Sequence, residues 1–199
     1  EPVAEQEPRY SFELTEGGPI LLEWLASEGA QVQISGPLGQ IFNGYVSSDT
    51  TSLMANWAPA GHYVLYVTGA PTSPFAFTVR TSAQAERATV GTNFNTTLVA
   101  DRTVAFVQAQ VQADKYYVLE AAANLPEGLY YTAYGPSGEQ LNSGNIEPGQ
   151  KIGFYTEFPG QLTLVFSRQW SAPKVDQNIS FDLTESTAPV DIRRDLARY

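Results

Sequence analysis

The feature that most constrains the fold of this chain is an internal repeat at a fixed offset. Residues 36–39 (Gly-Pro-Leu-Gly) recur as residues 135–138 (Gly-Pro-Ser-Gly), 99 positions later. Glu28-Gly29 recurs as Glu127-Gly128 at the same offset, and so does the segment that ends in an aliphatic run, residues 58–67 and 157–166. Three anchors in one register predict a duplicated structural unit, so any fold assigned to one half must also fit the other.

Within each copy the apolar residues recur with a period of two, which is typical of strands that are buried on one face. Val107, Ala109 and Val111 alternate with glutamines, for example. The residues expected to point inward are Trp24, Val32, Ile34, Tyr63, Leu65, Val67 and Phe77 in the first copy, and Leu119, Tyr131, Leu162, Leu164, Phe166 and Phe181 in the second.

Glycine and proline separate these short runs at regular intervals, and helical periodicity is nearly absent. Strands of five to eight residues bounded by turns favour packed antiparallel sheets over an alternating βαβ fold. The sequence therefore predicts an all-β protein with two tandem antiparallel β-sandwich (jelly-roll-like) domains related by internal duplication.

The predicted organisation has five parts. Residues 1–8 form an acidic leader, residues 9–84 the first sandwich, residues 85–96 a linker, residues 97–187 the second sandwich, and residues 188–199 a C-terminal tail that either forms a short helix or frays. The second copy carries about five extra residues in its final loop, because the last strands match at an offset of 104 rather than 99.

Composition excludes several classes of protein. The 199 residues are 43% hydrophobic and 16% charged, which separates the chain from disordered acidic tails. A net charge of −10 argues against a nucleic-acid partner, and no apolar run approaches the roughly 20 residues of a transmembrane helix. The lack of cysteine removes disulfides, thiol catalysis and cysteine-ligated metals.

Each copy resembles the bacterial pre-peptidase C-terminal domain, a small β-sandwich related to collagen-binding modules of collagenases. The resemblance lies in a strand pair joined by a Gly-Pro-x-Gly turn, followed by a Pro-x-Gly-x-Tyr strand, as in residues 31–39 and 58–67; residues 130–138 and 158–166 match less well, with Leu162 in place of the tyrosine. It implies a secreted, non-catalytic appendage of an exoenzyme. The acidic entry that often precedes the turn is replaced by residues 28–32, which puts calcium binding by analogy in doubt.

Catalytic motifs are sparse. His62 is the one histidine, so a two-histidine metal site is impossible, and its place at the start of a core strand favours a structural role. No nucleophile-elbow, phosphate-loop or zinc-protease pattern occurs, and no cofactor or metal is expected. The triplets at Asn95 and Asn178 fit the N-glycosylation pattern, which matters only in a eukaryotic secretory host.

The clearest functional signal is a difference between the copies. Before the Gly-Pro turn, the first copy presents Gln31, Gln33 and Ser35 outward, and the shift of 99 places Tyr130, Thr132 and Tyr134 outward in the second. Two aromatics about 7 Å apart on one sheet face suit stacking on sugar rings or an extended peptide. Alternatively, this face packs against the first copy or against another segment of the chain.

Trp170, inside the longer loop of the second copy, is the other unusual residue. It is predicted either to contact a ligand together with Tyr130 and Tyr134 or to plug the open end of its own sandwich.

These observations predict a non-catalytic, secreted or cell-envelope module that binds a carbohydrate or an extended protein, either alone or as one domain of a larger exported protein. The expected location is extracellular, periplasmic or on the cell surface, with an anchor upstream of residue 1 as one option. An inhibitor or chaperone-like partner of an exported enzyme is a first alternative. A hydrolase of unrecognised type that uses carboxylates is a second.

Overall fold

A computed structural model describes residues 8–25, 28–47, 52–69, 74–100, 104–168 and 175–187, with backbone only for residues 52–56. The chain is all-β and divides into two compact units, Glu1–Gln84 and Ala85–Tyr199. No helix in the described ranges is long and apolar enough to cross a membrane.

The first unit is a sandwich of two antiparallel sheets. Its strands are β1 (Arg9–Leu14), β2 (Gly18–Trp24), β3 (Ala30–Gly36), β4 (Gly39–Val46), β5 (Ser52–Ala58), β6 (Gly61–Thr68) and β7 (Phe77–Thr81). One sheet has the order β1-β6-β3-β4 and the other the order β5-β2-β7. Of the described strands, only β3 and β4 follow each other within one sheet; the other successive strands lie in opposite sheets. A short 3-10 turn at Ser82–Gln84 ends the unit.

The second unit repeats this arrangement with two more strands. Its strands are β8 (Glu86–Ala88), β9 (Asn93–Leu98), β10 (Val104–Val111), β11 (Lys115–Ala121), β12 (Leu129–Tyr134), β13 (Gln140–Ile146), β14 (Lys151–Thr156), β15 (Gly160–Arg168) and β16 (Gln177–Ser186). The five-stranded sheet has the order β13-β12-β15-β10-β8, and the four-stranded sheet the order β14-β11-β16-β9.

Seven strands of each unit correspond in their order along the chain and in the strands with which they pair. Leu14 of β1 pairs with Gly61, and Val111 of β10 pairs with Gly160. The hairpin register shifts between Ile34 and Ser35 in the first unit, and between Ala133 and Tyr134, 99 positions later, in the second. The repeated sequence anchors therefore occupy equivalent structural positions.

Residues 85–96, expected to be a linker, contain β8 and the start of β9. Both are sheet strands: β8 pairs in parallel with β10, and β9 pairs antiparallel with β16 at the edge of the four-stranded sheet. The β8 pair is thus a parallel exception in otherwise antiparallel sheets.

The two cores include the inward rows predicted from the alternation. Trp24, Val32, Ile34, Tyr63, Leu65 and Val67 are at most 1% exposed, and the partly buried Phe77 packs against them. All six residues predicted for the second core belong to one buried cluster that joins both sheets of that unit. Burial of apolar surface between two sheets is the main stabilising contribution in each unit.

Arg168, at the end of β15, is a buried cation that binds backbone carbonyls. Its guanidinium donates to the carbonyl oxygens of Leu98, Val99, Ala100 and Val175 and to Oε1 of Gln177. Desolvation lowers its pKa from the usual value. The rigid, many-donor guanidinium thereby connects the end of β9 to the start of β16.

Candidate functional site

The row predicted from the tyrosines of β12 has the expected register but not the expected exposure. Leu129, Tyr131 and Ala133 point into the core, so Tyr130 and Tyr134 do lie on the opposite face of the sheet. Tyr130 is 38% exposed, whereas Tyr134 is only 4% exposed. The prediction that this row faces solvent is wrong for Tyr134 and for Thr132, which is also buried.

The side of the five-stranded sheet that faces away from the core is itself buried and carries apolar side chains. Phe106 of β10 and Val165 of β15 lie outside the core cluster of their unit and are nevertheless buried. Gln108 donates to Thr163 Oγ1 at 3.2 Å on the same face, and both side chains are buried. Tyr134 belongs to this covered layer and is not part of an open platform.

Of the three residues proposed to contact a ligand, Tyr130 is thus the one whose side chain is seen to be accessible. Trp170 lies outside the described residues. A binding role for Tyr130, Tyr134 and Trp170 stays a prediction.

His62 is 85% exposed in its side chain and lies 3.9 Å from Glu13 Oε1. Both residues sit on the solvent-facing row of the first unit, where β6 pairs with β1. This exposed position gives the imidazole no enclosed pocket in which to act on a substrate.

An open face lies instead on the four-stranded sheet of the second unit. The inward residues of its strands include Tyr117, Leu119, Phe154 and Phe181. Strand alternation places the intervening residues on the opposite side, here called the outer face. These are Tyr116, Val118 and Glu120 on β11; Lys151, Gly153 and Tyr155 on β14; Asn178, Ser180, Asp182, Thr184 and Ser186 on β16; and Asn93, Asn95 and Thr97 on β9.

Tyr116 and Tyr155 form an aromatic pair at one end of the outer face. They are directly opposite each other in the β11–β14 register, with ring centroids 5.0 Å apart and planes inclined by 45°. The Tyr155 hydroxyl donates to Asp114 Oδ1 at 2.7 Å, and this hydrogen bond raises the pKa of Tyr155. Asp114 has a φ of 56°, a left-handed turn conformation that aspartate tolerates. The turn between β10 and β11 therefore holds the Tyr155 ring in place.

Hydrogen-bonded polar side chains form a row at the other end. Asn93 Nδ2 donates to Asp182 Oδ1 at 3.1 Å, and Asn95 Nδ2 donates to Asn93 Oδ1 at 2.8 Å. Thr97 Oγ1 donates to Asn178 Oδ1 at 3.0 Å. Between the two ends, Lys151 Nζ lies 2.9 Å from Glu120 Oε2.

A cleft of about 420 Å³ opens at this polar end. It is lined by Asn95, Thr96, Thr97, Asn124, Asn178 and Ser180, and is called the amide cleft below. Asn124 comes from the turn after β11, which is fixed against β16 by a hydrogen bond from Ala122 N to Ser180 O. None of the six lining residues carries a formal charge, so the cleft suits a neutral polar ligand.

The amino-acid sequence does not indicate the outer face, for a physical reason. Tyr116 stands next to the core residue Tyr117, and Tyr155 next to the core residue Phe154. Each pair reads as one apolar run, so the sequence does not distinguish the outward ring from the inward one. The available signal is the pair of Asn-x-Ser/Thr triplets: their asparagines, Asn95 and Asn178, both line the amide cleft. That the triplets meet follows from the pairing of β9 with β16, which the linker assignment hides.

Comparison with known proteins gives structural likenesses only. No family model matches the chain, and no curated protein matches it.

Several solved β-rich structures are similar to the chain at low TM-scores. The pre-peptidase C-terminal domain of a Bacillus anthracis collagenase is 11% identical, with 50% of this chain and 94% of that domain covered and a TM-score of 0.39. The M60 catalytic domain with two CBM51 domains of Clostridium perfringens ZmpB is 8% identical over 89% of this chain and 34% of that one, with a TM-score of 0.29. Two fibronectin type-III domains of chicken tenascin are 11% identical over 91% of this chain and all of that one, with a TM-score of 0.22.

Proposed function

We propose that this protein is a non-catalytic binding module whose ligand, a carbohydrate or an extended protein segment, lies along the outer face of the second unit. The observation that carries the proposal is the pair of the half-buried Tyr116 and the exposed Tyr155 on the same face as the amide cleft. Aromatic faces supply apolar contact, and amides and hydroxyls supply oriented hydrogen bonds. An exported or cell-surface location goes with this role.

The outer face is favoured over the hydrolase alternative by the chemistry of its concave part. Glycoside hydrolysis needs two carboxyl groups that flank the scissile bond. The amide cleft is lined by amides and hydroxyls, while Asp114, Glu120 and Asp182 are each engaged by a neighbouring side chain elsewhere on the face. Such an arrangement can orient a ligand and offers no acid–base pair within the cleft.

Tyr130 supplies a second candidate contact, on the other sheet of the same unit. Its 38% exposure leaves part of the ring available for stacking, as the difference between the two copies suggests. The inhibitor or chaperone-like alternative depends on a projecting loop, for which residues 169–174 would be the candidate from sequence; they lie outside the described residues.

The test is a binding screen on glycan arrays and immobilised collagen and other matrix proteins with the wild-type chain and a Tyr116→Ala/Tyr155→Ala variant. We expect the variant to bind whichever probe binds with a Kd about tenfold to a hundredfold higher, equivalent to about 1.4 to 2.8 kcal/mol of binding free energy. The fold should persist, because Tyr155 is 38% exposed and the pair lies outside the core cluster.

Tyr45→Ala is the matched control, because Tyr45 is an exposed strand tyrosine of the first unit, 63% accessible. It should bind as the wild type does. Equal binding by the wild type and the Tyr116→Ala/Tyr155→Ala variant would remove the outer face as the binding site, and loss of binding only in Tyr130→Ala would transfer the site to the other sheet.

A further inference from the structure

From the amide cleft we infer that the ligand of the outer face is a neutral oligosaccharide, with one sugar ring bound in the cleft through its hydroxyls. This inference rests on the proposed function and adds the ligand class and a second contact region. It concerns Asn95, Asn124, Asn178 and Ser180, whose side chains can both donate and accept hydrogen bonds.

The hydrogen-bonding capacity of the cleft matches adjacent hydroxyl groups. A sugar hydroxyl donates one hydrogen bond and accepts others, so it is best satisfied by groups that do both. An asparagine amide has two N–H donors and two acceptor lone pairs, and the Thr97 contact uses one lone pair of Asn178 Oδ1. The contact from Asn95 to Asn93 uses one N–H of Asn95, whose amide also carries a second N–H and an acceptor oxygen.

The spacing along the sheet favours a chain of several sugars over a single one. Ser180 lies in the cleft, and Ser186 of the same strand pairs with Tyr116 of the aromatic pair. Six residues of a β-strand span about 20 Å, so the cleft and the aromatic pair are separate contact regions on one face. A ligand that reaches both gains affinity because its second contact is intramolecular.

The charge and shape of the cleft favour a neutral saccharide over an acidic ligand or a peptide. The chain has a net charge of −10, and the cleft presents no cation to hold a carboxylate or sulfate group. β9 is an edge strand, to which an extended peptide could add. Strand addition gains its specificity from pockets for side chains, however, and the six residues that line the cleft are all polar.

The experiment is isothermal titration calorimetry of the full chain with cellohexaose, mannohexaose, xylohexaose and chitohexaose, each beside its monosaccharide. At least one hexasaccharide should bind, and more tightly than its monosaccharide. An Asn95→Ala/Asn178→Ala variant should raise its Kd by about tenfold, as expected for the loss of one or two hydrogen bonds. Asn178→Asp, which keeps the side-chain size and removes the donors, should weaken binding in the same direction.

The matched control is Gln110→Ala/Gln161→Ala, which removes an exposed amide pair of the other sheet, joined at 2.8 Å. It should leave the Kd unchanged, and unchanged thermal melts should show that all variants are folded. Failure of every hexasaccharide to bind would overturn the inference, as would equal affinity of the Asn95→Ala/Asn178→Ala variant and the control.

The outcomes separate this inference from the proposed function. If a collagen peptide binds and Tyr116→Ala/Tyr155→Ala abolishes that binding, the binding face stands and the saccharide inference fails. If saccharide binding withstands Tyr116→Ala/Tyr155→Ala but not the asparagine variants, the cleft is the site and the aromatic contribution is wrong.

Discussion

Three tyrosines within five residues of β12 have different environments, and their roles follow from the face that each occupies. Tyr131 points into the core and is 3% exposed. Tyr130 and Tyr134 share the opposite face, yet one is 38% exposed and the other 4%. Strand alternation determines the face of a side chain, whereas its exposure also depends on what covers that face.

This difference predicts that two alanine substitutions change stability by different amounts. Tyr134→Ala removes a buried ring and should lower the free energy of unfolding by about 2 to 4 kcal/mol, because the space it leaves is only partly refilled. Tyr130→Ala should change it by less than about 1 kcal/mol, as surface substitutions usually do. Urea denaturation of both variants measures this, and equal losses would contradict the burial assigned to Tyr134.

Tyr131 should lower the free energy of unfolding as the pH becomes alkaline. Burial raises the pKa of Tyr131 to about 12. A phenol whose pKa is higher in the folded state stabilises the fold fully below the unfolded pKa, near 10, and this contribution is lost as pH rises through 10 towards 12. Wild-type stability should therefore fall between pH 9 and 11.5 more steeply than that of Tyr131→Phe, as measured by urea denaturation. Parallel pH profiles would show that the ionisation of Tyr131 does not contribute.

At the scale of the strands, the two repeated turn motifs are one packing unit. Gly61, with a φ of +144°, lies against the ring of Pro37, and a Cβ at position 61 would overlap with Pro37 Cγ. The Tyr63 hydroxyl donates to the carbonyl of Pro59 at 2.6 Å. The Gly-Pro-x-Gly and Pro-x-Gly-x-Tyr sequences thus occur together because each occupies space that the other leaves free.

Gly61→Ala should accordingly destabilise the protein by about 1 to 3 kcal/mol through an unfavourable φ and the contact with Pro37. Gly144→Ala is the matched control, since a Cβ at position 144 would meet nothing nearer than Tyr131 Cε1 at 3.9 Å. Thermal melts of the two variants compare them. A loss in Gly144→Ala as large as that in Gly61→Ala would show that the substitutions act through something other than this close approach.

Strands can be predicted from this sequence where polar and apolar residues alternate clearly. They cannot be predicted where a short strand is defined only by its pairing with a distant strand. The alternation of valines with glutamines assigns the inward rows, because one buried face imposes a period of two. β8 has only three residues, Glu86–Ala88, and its sheet position depends on pairing with β10. Such short strands carry no periodic signal, so the segment reads as a linker.

For the molecule as a whole, the two units share a strand order but differ in their outer faces. In the first unit the outer row of β2 is buried: Leu21 is 0% exposed, and Glu23, 5% exposed, pairs with Arg80 at 2.6 Å. The corresponding sheet of the second unit presents Tyr155 and the amide cleft openly. A common scaffold with different outer faces is what a duplicated chain would show if one copy kept or acquired the binding role.

The outer faces could not be assigned from sequence, since the core pattern is the same whether the opposite side is open or covered. Tyr130 and Tyr134 differ from their counterparts in the first copy, Gln31 and Ser35, but this difference in sequence does not predict how exposed they are. Tyr116 and Tyr155 give no such signal, because each stands beside a core aromatic. That the two rings lie side by side depends on the β11–β14 register, which the sequence does not show.

Binding on the outer face of the second unit is tested most directly by amide chemical-shift changes in the ¹⁵N-labelled full chain. The probes are the four neutral hexasaccharides and a soluble collagen peptide. We expect at least one probe to shift the amides of β9, β11, β14 and β16 of the second unit, with the largest changes near Tyr116, Tyr155 and Asn178. Shifts confined to the first unit or to the strands around Tyr130, or no shifts with any probe, would contradict it.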